Sequence, residues 1–160
     1  MRLSILAVGR LKAGPEKRLA EDYLTRAAGL GRKAGISRLN VQEFTESQAQ
    51  TPAARMTGEA RLLAGAVPEK AFTIVLDERG KAVASATFAG LIQRHLDNST
   101  PEVAFLIGGP DGHATATRDA AGLLLSFGPM TWPHRLVRIM LMEQIYRAVT
   151  IIAGHPYHRS

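Results

Sequence analysis

Short apolar runs alternate with longer segments of helical periodicity along the chain, and this alternation constrains the fold more than any other feature. The runs of strand length are Leu3–Val8, Ile36–Phe44, Ala71–Leu76, Val103–Ile107 and Leu123–Phe127. Ile36–Phe44 alternates imperfectly, and the other runs are compact and predominantly apolar, which is typical of buried strands. Strands and helices in this order predict an α/β fold, with a mostly parallel sheet and helices on both of its faces.

The helical segments begin and end at recognisable residues. They run from Pro15 to the stops at Gly29 and Gly31, from Thr51 to Ala66, from Ser85 to Leu96, from Ala114 to Ala121 and from His134 to Ala153. Thr51 and Ser85 are predicted N-caps, because a hydroxyl oxygen accepts a hydrogen bond from a free N–H group of the first helical turn. Asp77–Lys81 is predicted to be a polar loop after the third strand.

Composition limits the classes of function. The 160 residues predict one domain, residues 1–160, and an apolar fraction of 46% against 21% charged residues predicts an ordered globular chain. The absence of cysteine excludes disulfides, thiolate metal sites and a cysteine nucleophile. A net charge of +6 favours a polyanionic partner such as nucleic acid, although a basic protein without such a partner fits the charge equally well.

No targeting or membrane segment is expected. Met1–Gly9 is apolar, but Arg10 and Lys12 follow it without a small-residue cleavage site, so it is interpreted as a strand. Leu136–Ile152 is too short and too charged to span a bilayer. The sequence therefore predicts a cytoplasmic protein that does not contact a membrane.

The loop after Ile107 is the first candidate site, since ligands of parallel sheets bind at the carboxyl ends of strands. Its sequence, Leu106–Gly112, is LIGGPDG. Glycines directly after a buried strand let the backbone approach a ligand, and the following helix offers free N–H groups. A tight turn that binds nothing is the alternative. The spacing matches neither the dinucleotide fingerprint nor a P-loop.

The second candidate site is the loop Gly128–His134, GPMTWPH. Two prolines and a glycine make it rigid and irregular, so that its backbone amides and carbonyls are free to bind the edge of an adenine. Trp132, the only tryptophan, is expected to be a core or interface anchor rather than a base-stacking residue.

Basic and aromatic residues gather at the end of the chain. The ending His155–Arg159, HPYHR, suits phosphate contact and base stacking in RNA, and a solvated tail is the alternative. The pair His155 and His158 has no third ligand nearby, so no metal site is expected. No serine has the flanking glycines of a nucleophile elbow.

Three motifs in this order resemble the RlmH family, a group of SPOUT-class methyltransferases that act on large-subunit ribosomal RNA. They are Leu106–Gly112, the segment Pro133–Ala148 with PHRLVR and EQIYRA, and His155–Arg159. The resemblance covers the whole chain and includes the opening MRLSILAVG. It implies a SPOUT fold with a C-terminal trefoil knot, S-adenosylmethionine as cofactor, and a homodimer. The implied reaction is methylation of N3 of pseudouridine 1915 in helix 69 of 23S rRNA, within the assembled ribosome.

The resemblance also implies site residues. The cofactor-binding positions it implies are Leu76, Gly108, Gly109, Gly128, Pro129, Met130, Thr131, Trp132 and Pro133, although Pro129, Met130 and Trp132 depart from the residues common in the family. The positions implied for substrate contact or catalysis are His134, Arg138, Tyr157, His158 and Arg159. Because N3 must lose its proton before it attacks a methyl group, His134 and His158 are candidate bases, and Arg138 and Arg159 are candidate partners of the anion.

Two further hypotheses come from the residues themselves. Apolar residues surround the last helix almost completely, which predicts a homodimer built on that helix, with burial inside one chain as the alternative. Gly109→Val is expected to abolish cofactor binding and leave the fold intact. The competing functions are another SPOUT methyltransferase, acting on tRNA, and a ribosome-binding protein without catalysis; the first would need an added RNA-binding domain.

Overall fold

The protein is described here by a computed structural model that covers residues 1–158, so Arg159 lies outside the described residues. Five strands and five helices alternate in it. They are β1 (Arg2–Val8), α1 (Pro15–Gly31), β2 (Arg38–Phe44), α2 (Pro52–Ala66), β3 (Ala71–Ala82), α3 (Ser85–Asp97), β4 (Glu102–Ile107), α4 (Thr115–Asp119), β5 (Leu123–Ser126) and α5 (His134–Ile152). The alternation predicted from the sequence is confirmed.

The five strands form one parallel sheet in the order β2-β1-β4-β3-β5. Central strands β1 and β4 pair in register over six residues, from Arg2 opposite Glu102 to Ala7 opposite Ile107. Helices α1, α3 and α5 share an apolar core with one face of the sheet, and α2 packs on the other through Leu63. Helices therefore cover both faces, as predicted; the trefoil knot stays a prediction.

The start of α2 follows the expected capping chemistry, whereas the start of α3 does not. Thr51 Oγ1 accepts a hydrogen bond from Ala54 N at 3.2 Å, which confirms Thr51 as an N-cap. The prediction for Ser85 is wrong, because Ala84 occupies the N-cap and Ser85 is the first helical residue. Ser85 Oγ instead donates to Gln144 Oε1 at 2.7 Å, so this hydroxyl links α3 to α5.

The predicted loop Asp77–Lys81 is part of strand β3, and this prediction is wrong. The register with β5 shifts between Leu76 and Lys81, and pairing resumes where Lys81 lies opposite Leu125. Gly80 allows this, since a Cβ there would lie 2.7 Å from backbone atoms of β5. The polar side chains of this segment led to the prediction of a loop. They belong instead to the irregular end of β3, which pairs with β5.

Helix α5 packs between α1 and α3 of its own chain. This packing buries most of its apolar residues, among them Leu141, Ile145 and Val149, while Leu136 stays 41% exposed. The apolar circumference of the helix is therefore largely satisfied without a second chain. The homodimer stays a prediction, but it needs a different structural basis from the one that the sequence offered.

Within residues 1–158, the helices are all too short or too polar to cross a membrane.

Candidate functional site

A cavity of about 790 Å³ lies at the carboxyl ends of β3, β4 and β5. The loops after β4 and β5 form most of its wall, and residues 76–79 of β3 line it together with residues of α2, α4 and α5. Of the predicted cofactor-binding residues, the cavity is lined by Leu76, Gly108, Gly109, Gly128, Met130, Thr131, Trp132 and Pro133. Pro129 belongs to the same loop but does not line the cavity. The structure thus brings together three segments that are distant in the sequence.

The glycine loop after β4 folds back on itself. Gly112 N donates to Gly109 O at 3.0 Å, and a Cβ on Gly108 would lie 3.0 Å from the carbonyl of Gly112. Gly112 has φ +81°, and no atom of residues 1–158 lies within 4 Å of the place where a Cβ would stand. This positive φ favours glycine, and the open space leaves the backbone accessible from the cavity.

Gly109 has a different neighbour from the one predicted. A Cβ at this position would lie 2.8 Å from Glu59 Oε2 and 3.1 Å from Val8 Cγ1, so protein atoms already occupy the space. Glu59 is only 3% exposed, and burial raises the pKa of its carboxyl, against the backbone hydrogen bonds that lower it. The glycine is therefore required by the close contact of the loop after β4 with Glu59 of α2 and Val8 of β1.

The substitution Gly109→Val is accordingly expected to destabilise the fold as well as to disturb cofactor binding. Overpacking of a close contact costs about 1–3 kcal/mol, and here the displaced group is a buried carboxyl. Urea denaturation would measure the loss, with Gly90→Val as a control because no atom lies within 4 Å of a Cβ at that helical glycine. An unchanged unfolding midpoint in Gly109→Val would restore the original expectation of an intact fold.

An ion pair holds the outer part of the glycine loop. Arg55 of α2 contacts Asp111 with Nε at 2.6 Å from Oδ2 and Nη2 at 3.1 Å from Oδ1. The guanidinium lowers the pKa of the Asp111 carboxyl through this hydrogen bond. The same Arg55 donates to Ala49 O at 3.0 Å, so one side chain joins the glycine loop to the segment between β2 and α2.

The loop Gly128–Pro133 begins with a local turn. Ser126 Oγ donates to Gly128 O at 2.9 Å and accepts from Gly128 N at 3.0 Å. Gly128 has φ +113° and open space on its Cβ side. Met130 is 69% exposed and Trp132 is 39% exposed, so Trp132 is not a core residue; its role as an interface anchor stays a prediction.

Sequence reasoning missed a polar group inside the cavity. His113 follows the glycine loop, is 4% exposed, and its Nε2 has no hydrogen-bond partner within residues 1–158. Burial lowers its pKa, which keeps the imidazole neutral. Arg118 donates to the carbonyl of His113 and lies 3.7 Å from Asp77, which also lines the cavity. A histidine directly after a strand-end glycine loop was the available signal.

His134 is the predicted catalytic residue that lines the cavity. It is the first residue of α5, and its Nε2 is buried 3.4 Å from Glu46 Oε1. Burial is the largest influence on its pKa and lowers it, so the imidazole is neutral near pH 7. Glu46 was not among the predicted residues, because nothing local in the sequence links the end of β2 to the start of α5.

Arg138 lies behind the cavity wall rather than in it. Its side chain is 0% exposed, forms an ion pair with Glu43 of β2, and donates from Nη2 to Gly9 O at 2.6 Å. This guanidinium fastens α5 to the carboxyl ends of β1 and β2. Its predicted contact with substrate stays a prediction, and the structure gives it a supporting position.

Tyr157 and His158 follow α5 in sequence and contact its residues Glu143 and Arg147. Neither of them lines the cavity of their own chain. Tyr157 Oη donates to Glu143 Oε1 at 3.2 Å, and its ring centroid lies 4.6 Å from that of Tyr146. Burial raises the pKa of Tyr157 to about 12, so it is a protonated donor. His158 Nδ1 lies 3.5 Å from Arg147 Nη1. The described members of the predicted catalytic set are therefore divided among three places: the cavity, the layer behind its wall, and the surface of α5.

The described part of the chain contains no group of three His, Asp or Glu side chains placed to hold a metal ion.

Comparison with solved structures supports the α/β architecture. A probable methyltransferase from Bordetella pertussis Tohama I superposes with a TM-score of 0.50 at 16% identity, covering 92% of this chain and 93% of that chain. A probable methylase family protein from Haemophilus influenzae Rd KW20 gives a TM-score of 0.51 at 11% identity, covering 99% of this chain and 70% of that one. At such low identity the likeness concerns the fold alone.

The family comparison defines the class: a model described as "predicted SPOUT methyltransferase" matches residues 1–158, so this chain is a SPOUT-class methyltransferase. Full-length relatives narrow the class. Proteins named "Ribosomal RNA large subunit methyltransferase H" are 52% identical in Rhodopseudomonas palustris strain HaA2 and 50% identical in Bradyrhizobium sp. strain ORS 278, over all 160 residues and 99–100% of each relative. The chain belongs to the RlmH family, as its three motifs indicated.

Proposed function

We propose that this chain transfers a methyl group from S-adenosylmethionine to a base of large-subunit ribosomal RNA. The cavity at the carboxyl ends of β3, β4 and β5, enclosed by two loops that contain glycine, carries the proposal. The names of full-length relatives support the substrate class, and the net charge of +6 suits a polyanion.

The cavity residues fit S-adenosylmethionine. About 790 Å³ is within the usual range for a small-molecule site. Buried His113 Nε2 lacks a partner in the described chain, and a polar atom of the ligand would satisfy it. When bound, the cofactor supplies a methyl group on a positively charged sulfur. The residues proposed to hold it are Leu76, Gly108, Gly109, Gly128 and 130–133, with backbone groups making most contacts.

The finer proposal is that the methylated atom is N3 of pseudouridine 1915 in helix 69 of 23S rRNA. It rests on the family motifs in this sequence. This N3 carries a proton that must leave before the nitrogen can attack a methyl group. His134 is suited to accept it, since it lines the cavity and is neutral near pH 7. His134 then carries the proton as imidazolium until water removes it.

Further proposals concern the assembly. We infer a cytoplasmic homodimer that acts on the assembled ribosome. The apolar side chains Met130 and Trp132, which also line the cavity, and Leu136 are exposed and close together in sequence, and they offer a surface for the second chain. The described tail residues Tyr157 and His158 are remote from their own cavity, and a second chain would give them a site to complete.

Calorimetric titration with S-adenosylmethionine, followed by mass spectrometry of 23S rRNA from ribosomes that lack the modification, tests the proposal. We expect saturable binding and one added methyl group in helix 69. Gly128→Ala should weaken cofactor binding about ten-fold or more, because its φ of +113° disfavours a side chain. Gly65→Ala is the matched control, since that helical glycine has no atom within 4 Å of its Cβ side.

Each alternative function has a distinct result. Methylation of tRNA instead of ribosomes would favour the tRNA enzyme and reject the proposed substrate. Ribosome binding without any affinity for S-adenosylmethionine would favour the non-catalytic protein and reject the whole proposal.

A further inference from the structure

A niche at the end of β1 holds two side chains from distant parts of the sequence. Gly9 follows β1 with φ +87°, and a Cβ there would lie 2.8 Å from His134 Nε2 and 2.9 Å from Glu46 Oε1. His134 and Glu46 therefore occupy the space that a side chain at residue 9 would fill. Both the backbone angle and the available volume require glycine at this position.

The segment that carries Glu46 is fixed on both sides. Upstream, Gly9 N donates to Phe44 O at 2.8 Å. Downstream, Ser47 N donates to Glu59 Oε1 at 2.9 Å, and Arg55 Nη1 donates to Ala49 O at 3.0 Å. Glu46 therefore projects from a held backbone, which reduces the conformational freedom that it loses on contact with His134.

The contact between Glu46 and His134 bears on which ring nitrogen of His134 carries the hydrogen. Glu46 Oε1 lies 3.4 Å from the buried His134 Nε2, which is within ion-pair distance, and this Nε2 makes no hydrogen bond within residues 1–158. Catalytic hydrogen bonds are often long in ligand-free sites and shorten in the substrate complex. If Nε2 carries the hydrogen and donates it to Glu46, Nδ1 holds the lone pair that accepts a proton.

We propose that Glu46 is a positioning residue for His134: its carboxylate orients the imidazole, selects the Nε2–H tautomer and stabilises the imidazolium formed when Nδ1 takes the proton from the substrate nitrogen. The inference rests on the proposed role of His134 as the proton acceptor. The proton moves from the substrate nitrogen to Nδ1, and that nitrogen's electron pair forms the new bond to the methyl carbon. The bond from this carbon to sulfur breaks, and its electrons remain on sulfur.

The charged groups around His134 shift its pKa in opposite directions. Arg135 and Arg138 on its own helix lower the pKa of His134, in addition to the effect of burial, and Glu46 raises it. Glu43 of β2 faces Arg138 and pairs with it, while Glu59 of α2 lies near Glu46. Glu46 is thus the nearby group that favours the charged form of the ring and contacts it directly.

The test uses Glu46→Gln, which removes the charge and keeps the shape. NMR titration of the His134 ring in the protein without ribosomes should show a lower pKa than in the wild type and a weakened preference for the Nε2–H tautomer. The methylation rate should fall about ten-fold or more, and the acid limb of the kcat/KM profile should move to lower pH. Glu46→Asp, which keeps the charge, should retain more of the original pKa.

Glu69→Gln is the matched control, because it makes the same chemical change at an exposed carboxylate outside the site. The inference is overturned if Glu46→Gln leaves the His134 pKa and tautomer as they are in the wild type, or lowers the rate without moving the acid limb. Full methylation by His134→Gln would instead reject His134 as the acceptor. The NMR titration needs no methylation, so it tests the pairing even if the proposed function fails.

Discussion

Arg138→Met is expected to lower the free energy of unfolding by about 3–5 kcal/mol, the usual cost of removing one partner of a buried ion pair. The substitution leaves the carboxylate of Glu43 without its cation and the carbonyl of Gly9 without its donor. Glu43 keeps 32% side-chain exposure, so water compensates part of the loss and the lower end of the range is expected. Denaturation in urea, monitored by circular dichroism, measures the effect.

The matched control is Arg26→Met. Arg26 pairs with Asp22 at 2.8 Å on the exposed side of α1, and removal of such a surface pair changes stability by about 0.5 kcal/mol or less. Equal stabilities of the two variants would show that the buried guanidinium of Arg138 contributes no more than a surface charge. In that case a direct role of Arg138 at the substrate would again be the better interpretation.

Deletion of residues 154–160 is expected to abolish methylation and to spare binding of S-adenosylmethionine. The described part of the deleted tail, residues 154–158, contributes no residue to the cavity, since Tyr157 and His158 contact α5 instead. Groups that act chiefly in the transition state lower turnover more than they lower ground-state binding. Methylation assays and calorimetry on the truncated chain measure the two effects separately, and near-normal turnover would remove the tail from the mechanism.

A mixing experiment locates the site in which the tail acts. Truncated chains keep an intact cavity, and full-length Gly128→Ala chains keep an intact tail. The assay uses a cofactor concentration too low to load the Gly128→Ala cavity. If the tail completes the cavity of a second chain, the mixture should then recover methylation that neither variant shows alone. Without recovery, the tail acts within its own chain, or the chains do not exchange.

The strands and the cavity loops were predictable because their signals are local. The apolar run Val103–Ile107 predicts a buried strand, and Gly108 and Gly109 directly after it predict a tight loop. The start of α2 was predictable in the same way, because the side chain of Thr51 is itself the N-cap. The glycine and the two prolines of Gly128–His134 likewise marked the second loop as a candidate site, and Gly128 and residues 130–134 line the same cavity.

The supporting residues were not predictable, because they depend on contacts between distant segments. Glu59 lies in the middle of α2, and only the fold places it against Gly109, fifty residues later. The burial of Arg138 depends on Glu43, which is 95 residues away in sequence. The continuation of β3 beyond Leu76 depends on the close approach of Gly80 to β5. Contacts between residues so far apart in sequence produce no periodic pattern from which they could be predicted.

The register between β1 and β4 has a consequence for biosynthesis. Arg2 lies opposite Glu102, so the first strand made by the ribosome waits for about a hundred further residues before its second neighbour exists. At about 5–20 residues per second, that interval is on the order of 5–20 s. During this time the nascent chain can pair β1 only with β2, and one edge of an apolar strand remains open. Chaperones that shield emerging hydrophobic segments would therefore act on this chain at its amino terminus, before the methyltransferase cavity has begun to form.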